Sequence, residues 1–355
     1  MNLLEVLYAQ EFKKPLFYPR KFSFTEEKTL LVGAKKSGKS TIIYDYLSAQ
    51  KKGTFLYIDF ADLRINQVII FGLPNFIKQH KISLLVLENF DFSFKIPPCE
   101  KVIVTTQKTK ELDGFVTQTL HPLDFEEFIA FEKRQTNIES TFNDYATIGT
   151  YPNIVLAPKE NFTKHFQDHI RLICESDLEF TILRAYALSQ GFQTSSFTIF
   201  HEIKEFHKIS KDKFYAITKK LQEENILLLL EKYATPRADK KVYLIDFAIK
   251  SVLTFDKDFI KRFENIIYLE LFKSEQEVYF TDLLDFYIPS EKKAIIAMPF
   301  VPITLIKTKL TRIEKELQKY QIEKIEVITL EHEEESYHDG VALEILPFWS
   351  WALQR

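Results

Sequence analysis

The sequence predicts an α/β protein: a parallel sheet covered by helices comes first, then a helical segment closing in a hairpin, then a mixed α/β module. Three observations carry that reading. In the first half, short continuous apolar runs alternate with helix-periodic stretches, the pattern of strands buried on both faces. A glycine-bearing loop, Gly33-Ala34-Lys35-Lys36-Ser37-Gly38-Lys39-Ser40, stands between such a run and a helical stretch. Residues 161–226 are helical in pattern almost throughout and lead into two apolar runs separated by a loop around Pro236.

Taken in order, KTLLV at 28–32 is a buried strand entering the glycine loop, and 40–50 is a helix with Ile42, Ile43, Tyr46 and Leu47 on one face. Further strands follow at 54–60, 82–87 and 101–105, with a helix at 66–79 that Gly72 and Pro74 interrupt. Phe125, Phe128 and Ile129 lie at helical spacing within 122–134, and a turn is expected at 150–153. The runs 227–230 and 242–245 read as a hairpin, and helices followed by a hairpin suggest a winged helix. The last part reads as a helix at 259–272, strands at 278–280, 284–288 and 294–298, a helix at 304–320 and strands at 324–330 and 342–346. The expected domains are 1–158, 159–255 and 256–355.

Composition excludes several classes. A net charge of -3 offers no global attraction for nucleic acid or membranes, so any basic surface has to be local. Cys99 and Cys174 lack metal-ligand spacing and read as reduced thiols. No apolar run reaches the roughly 18 residues that span a bilayer, and the amino end lacks the pattern of a secretory signal; a cytoplasmic location is the expectation.

Gly33, Gly38, Lys39 and Ser40 complete the pattern G-x-x-x-x-G-K-[ST], with a strand before and a helix after. Glycines there let backbone N–H groups surround phosphate oxygens, and the helix start adds partial positive charge. The Lys39 ammonium is placed to reach the β- and γ-phosphates and the Ser40 hydroxyl to ligate Mg²⁺. The loop through Thr41 is therefore expected to hold a nucleoside triphosphate, ATP with Mg²⁺.

Such sites carry an acid at the end of another core strand to hold the Mg²⁺ shell, followed by a glutamate that activates water. Two strands qualify, ending in Asp59 and in Glu88-Asn89, and the second has the more usual separation from the loop. On that alignment Glu88 stands for the expected Asp and Asn89 for the expected catalytic Glu. Asn cannot take a proton from water, which slows hydrolysis by roughly 10²–10⁴-fold. Asp91, two residues on, is a further carboxylate. Thr105, at the end of its strand, is the candidate to hydrogen-bond the γ-phosphate or the attacking water, with Thr106 beside it.

These segments together resemble the prokaryotic AAA+ ATPases related to STAND NTPases. The resemblance spans nearly the whole chain: the loop GAKKSGKST, LLVLENF where the family ends a strand in Asp-Glu, VIVTTQ where it has Thr-Gly-Ser, LHPLDFEEFI, GTYPNIV, KVYLIDFAI and FENIIYLEL. It implies a P-loop NTPase domain of AAA+ type, a winged-helix domain and a C-terminal module like the PD-(D/E)xK restriction-endonuclease fold. Departures accompany it. Gly114-Phe115 stands where the family often has Gly-Arg, so an arginine worth roughly 10³–10⁵ in rate is absent, and Arg134 is the nearest substitute in sequence. Glu264 and Asp285 match the nuclease acids, but Ala297 and Pro299 fall where a Glu/Gln-x-Lys strand is needed, so a docking surface for a protein partner is expected rather than nuclease activity.

The stretch 210–224 carries Lys211, Lys213, Lys219 and Lys220, and the hairpin loop adds Arg237, Lys240 and Lys241, a set that could meet DNA phosphates. Asp212, Glu223, Glu224 and Asp239 are interleaved, which equally fits a solvated or protein-facing surface. Three functions stand open at this point: a nucleotide-dependent switch with weak ATP hydrolysis, an active ATPase coupled to DNA or RNA, and a scaffold holding structural ATP.

Overall fold

The computed structural model describes residues 3–16, 20–107, 111–132 and 137–355. The chain divides into two compact units, Met1–Pro122 and Leu123–Arg355.

The first unit is built on five strands: β1 Lys28–Val32, β2 Phe55–Asp59, β3 Leu84–Glu88, β4 Lys101–Thr106 and β5 Val116–Thr119. They pair in parallel in the order β2-β3-β4-β1-β5. Both faces of the sheet are buried, because successive side chains of a strand point to opposite sides. Leu30, Leu56, Leu85 and Val104 pack with Leu73 and Phe76 of the helix Gln67–His80. Phe55, Tyr57, Val86 and Ile103 pack with Ile43 and Leu47 of the helix Lys39–Ser48. Proline ordinarily breaks a helix interior, yet Gln67–His80 runs through Pro74 as one helix.

The second unit begins with the helix Phe125–Phe131, whose Asp124 accepts from the Glu127 N–H in a capping box. Helices Phe162–Ile173, Asp177–Leu188, Ser196–Phe206 and Lys211–Glu223 follow. They lead into a small antiparallel sheet of β6 Gln193–Thr194, β7 Leu227–Leu230 and β8 Lys240–Leu244, in the order β6-β8-β7. The helix Phe259–Lys273 then precedes five strands: β9 Phe286–Ile288, β10 Lys293–Ala297, β11 Lys324–Thr329, β12 Glu334–His338 and β13 Val341–Pro347. Their order is β12-β13-β11-β10-β9, parallel through β10, β11 and β13 with antiparallel edges. The helix Ile303–Lys319 covers one face through Ile306, Leu310 and Ile313. The turn from β12 to β13 is Asp339-Gly340, with φ of 49° and 83°, the two-residue geometry that suits the twist of a hairpin.

A buried ion cluster ties β8 to this sheet. The Lys241 ammonium donates to Glu264 Oε1 at 2.7 Å and lies 3.5 Å from Asp285 Oδ1. Tyr243 and Lys261 also donate to Glu264, and the Ala297 N–H donates to Asp285. Burial alone would lower the Lys241 pKa, but the carboxylates of Glu264 and Asp285 outweigh it and hold the ammonium above its usual range. The two acids that the sequence singled out are therefore engaged by a lysine from the small sheet. Lys241→Ala leaves Glu264 buried among fewer cations and is expected to destabilise the chain by about 3–5 kcal/mol, read from the urea unfolding midpoint.

Candidate functional site

At the carboxyl ends of β1, β3 and β4 the sequence-chosen residues meet. The loop leaving β1 starts at Gly33, where a Cβ would lie 2.4 Å from the Leu120 carbonyl oxygen, so no side chain fits. Lys36 (φ 65°) and Gly38 (φ 106°) take left-handed conformations that curl the chain into the helix starting at Lys39. Gly33→Ala forces that backbone contact apart. It is expected to cost roughly 1–3 kcal/mol of stability, seen as a lower unfolding midpoint of the full chain.

The Lys39 side chain is buried and turns back over the loop, donating to the carbonyls of Gly33 at 2.6 Å and Ala34 at 2.9 Å. Its position follows from the helix start, which directs the second residue of Gly-Lys-Ser inward rather than to solvent. Ser37 is fully buried, Lys36 is exposed, and Lys35 and Gly38 lie between. Ser40 and Thr41 open the helix on its exposed side. Arg20 backs the loop from outside, donating to the carbonyls of Ser37 at 3.0 Å and His121 at 2.6 Å.

Glu88 ends β3 and is only 3% exposed. One carboxylate oxygen accepts from the Ser40 hydroxyl, and the other accepts from the Tyr57 hydroxyl at 2.6 Å. Tyr57 in turn is 3.2 Å from the Tyr44 hydroxyl. Burial pushes the Glu88 pKa up, against the hydrogen bonds from Ser40 and Tyr57 that favour its charged form. Burial and the nearby Glu88 likewise push the Tyr57 phenol up, which keeps it a donor.

Asn89 follows in a left-handed conformation, φ 54°. Its N–H donates to the Thr105 hydroxyl at 3.0 Å, and its side-chain amide donates to Asp59 Oδ1 at 2.7 Å. Thr105 is fully buried, in the wall beneath the strand ends. Asp59 sits opposite Glu88 in the register of β2 with β3. The structure thus joins the two acid candidates through Asn89, with Glu88 against the loop serine and Asp59 on the outer strand. Asp91 lies beyond, its Oδ1 accepting from the Ser93 N–H. Phe115 packs on the sheet core, and Arg134 lies outside the described residues.

Sequence reasoning missed Tyr57, Tyr44 and Arg20. A tyrosine two residues ahead of a strand-end acid, inside an otherwise apolar run, was the available signal for Tyr57; nothing local marks Arg20.

The set can bind an anion and a hard cation together. The Lys39 ammonium lies inside the loop, while a hydroxyl and a carboxylate, both oxygen donors of the kind Mg²⁺ takes, are already in contact. The residues present therefore fit Mg²⁺.

No family model matches the chain. An uncharacterized protein, MJ1544, of Methanocaldococcus jannaschii is 22% identical over 387 residues, covering 91% of this chain and 88% of its own length. Among solved structures, the chain is similar to the Walker-type ATPase PABY2304 of Pyrococcus abyssi, with a TM-score of 0.45 and 13% identity over 63% of this chain and 90% of that one. It is also similar to the Aeropyrum pernix ORC1 protein in complex with DNA, with a TM-score of 0.34 and 12% identity over 66% and 87%. On its own loop and sheet geometry, the first unit is an α/β domain whose five-stranded parallel sheet fits the P-loop NTPase architecture.

Proposed function

We propose that this chain is an AAA+ type ATP-binding protein that acts as a nucleotide-dependent switch with weak ATP hydrolysis. The observation that carries the reading is the pairing of a complete phosphate loop with an amide, Asn89, directly after the strand-end acid Glu88. Lys39 is inside the loop, bonded to its carbonyls, and exchanges those acceptors for phosphate oxygens when a triphosphate arrives. Ser40 and Glu88 would hold Mg²⁺, which when bound neutralises charge on the phosphates. Asn89 orients but cannot deprotonate a water, and its amide is engaged by Asp59. Thr105 serves as a positioning residue that fixes the Asn89 turn from below.

In this reading, 1–158 forms the nucleotide domain, 159–255 a winged-helix domain, and 256–355 a nuclease-like module without nuclease activity that offers a protein-docking surface. The engagement of Glu264 and Asp285 by Lys241 supports the last assignment. DNA contact draws less support, because four of the cations singled out for it face acids of their own unit, Lys219 pairing with Glu223. Lys220 meets Glu175 and Glu179, Lys240 meets Glu231, and Lys241 meets Glu264. No described helix is long and apolar enough to cross a membrane.

Calorimetric ATP binding beside phosphate release tests the reading. Saturable Mg²⁺-dependent binding with turnover below about 1 s⁻¹, the low end of ordinary enzymes, is the expected result. Turnover that rises severalfold on adding DNA would instead favour an active ATPase coupled to nucleic acid, and bound ATP that never turns over would favour a structural role.

A further inference from the structure

Three side chains able to ligate a metal meet far in sequence from the phosphate loop. Glu314 projects from the helix Ile303–Lys319, His338 ends β12, and Asp339 opens the turn to β13. One donor atom from each lies within 4.8 Å of the others. The distance between His338 Nε2 and Glu314 Oε1 is 3.5 Å. That is long for a hydrogen bond. It is the spacing that two ligands of one tetrahedral Zn²⁺ adopt, because Zn–N and Zn–O bonds of about 2.0–2.2 Å set neighbouring donors roughly 3.4 Å apart.

Two further observations converge on the same place. His338 Nε2 is shut off from solvent and has no hydrogen-bond partner among the described residues, whereas buried polar atoms ordinarily have one. A cavity of about 170 Å³ opens on all three side chains, with Leu317 and Ile322 as an apolar wall and the amide of Gln318 at its side. An imidazole and two carboxylates are a donor set for zinc and similar divalent transition metals.

We propose that Glu314, His338 and Asp339 form a zinc-type divalent metal site, with a fourth coordination position open to the cavity. Metal there ties the hairpin turn to the helix that covers the sheet. The site is independent of nucleotide binding.

The test uses the full chain with Mg²⁺ and ATP present, so that the loop's own cation site is occupied. Zn²⁺ is titrated calorimetrically, and Co²⁺ is added as a spectroscopic probe of coordination by an imidazole. The expected result is one Zn²⁺ bound per chain, a thermal midpoint raised by zinc, and affinity at least about tenfold weaker in each of Glu314→Gln and His338→Ala, since losing even a supporting group at such sites costs 10–100-fold. Glu314→Gln keeps the shape of a partly exposed helix side chain, so its result stands even if His338→Ala folds poorly. A native chain that takes up no zinc overturns the proposal, as does zinc binding of undiminished affinity in Glu314→Gln.

Discussion

Lys39→Ala should abolish useful ATP affinity while leaving the protein folded. Each charge-assisted hydrogen bond that the ammonium makes to a phosphate oxygen is worth about 1.5–3 kcal/mol, so losing two of them weakens binding by at least a hundredfold at 1.4 kcal/mol per tenfold. The empty protein loses less. It gives up the hydrogen bonds that the lysine donates to the Gly33 and Ala34 carbonyls, each worth about 1 kcal/mol net. Calorimetric titration with Mg²⁺-ATP, beside a thermal melt without nucleotide, separates the two effects. Affinity within a few fold of the native value would remove the basis of the nucleotide assignment.

The second large effect concerns hydrolysis. Replacing Asn89 with Glu restores a group that accepts a proton from water, but the structure shows why the single change is a poor test. The Asn89 amide donates to Asp59 at 2.7 Å, and a glutamate there sets two carboxylates against each other. Like charges that close cannot both ionise comfortably, so the new acid would be drawn toward its protonated form and away from base catalysis. The paired change Asn89→Glu with Asp59→Asn keeps an amide and a carboxylate in contact with their places exchanged. Phosphate release by the double variant should exceed that of the native chain by about 10²-fold or more, the usual worth of a positioned general base, whereas Asn89→Glu alone should gain little. Equal rates in native and double variant would show that position 89 does not face the attacking water.

How much of this was legible beforehand follows from where the determining forces lie. KTLLV is a strand bounded at Lys28–Val32 because five residues, four of them buried, leave no other way to satisfy the backbone inside a two-faced core. The phosphate loop was legible for the same local reason: its glycines, lysine and serine act within one turn of chain. Strands β5 and β12 were missed. β5 is VTQT, half exposed at a sheet edge, and β12 is EESYH, whose outward and inward positions alternate without apolar residues to mark them. Both are strands because a neighbour offers a ladder, not because their own composition asks for one. The helix at Pro74 went the other way, since the packing of Leu73, Phe76 and Ile77 on the sheet outweighs one lost backbone bond.

The site's connections were hidden for a related reason. Asp59 with Asn89, and Tyr57 with Glu88, are contacts between strands, fixed by the register that sets Asp59 opposite Glu88. A slip of one residue would send each side chain to the other face. Sequence shows which polar groups end the strands; only pairing shows which of them touch.

The hydroxyl of Ser40 rests on Glu88 while the phenol of Tyr57 holds that carboxylate from the far side. In the proposed function this arrangement would serve as a latch, with Tyr57 as the fixed jaw and Ser40 as the movable one. Were the serine to turn to a bound Mg²⁺, as the proposed function requires, the tyrosine would still hold the Glu88 carboxylate in place. Cation and loop conformation would then be thermodynamically coupled, each favouring the other by the same factor. Tyr57→Phe loosens the fixed jaw without touching the loop, so it should weaken Mg²⁺-dependent ATP binding while sparing whatever affinity remains when magnesium is withdrawn.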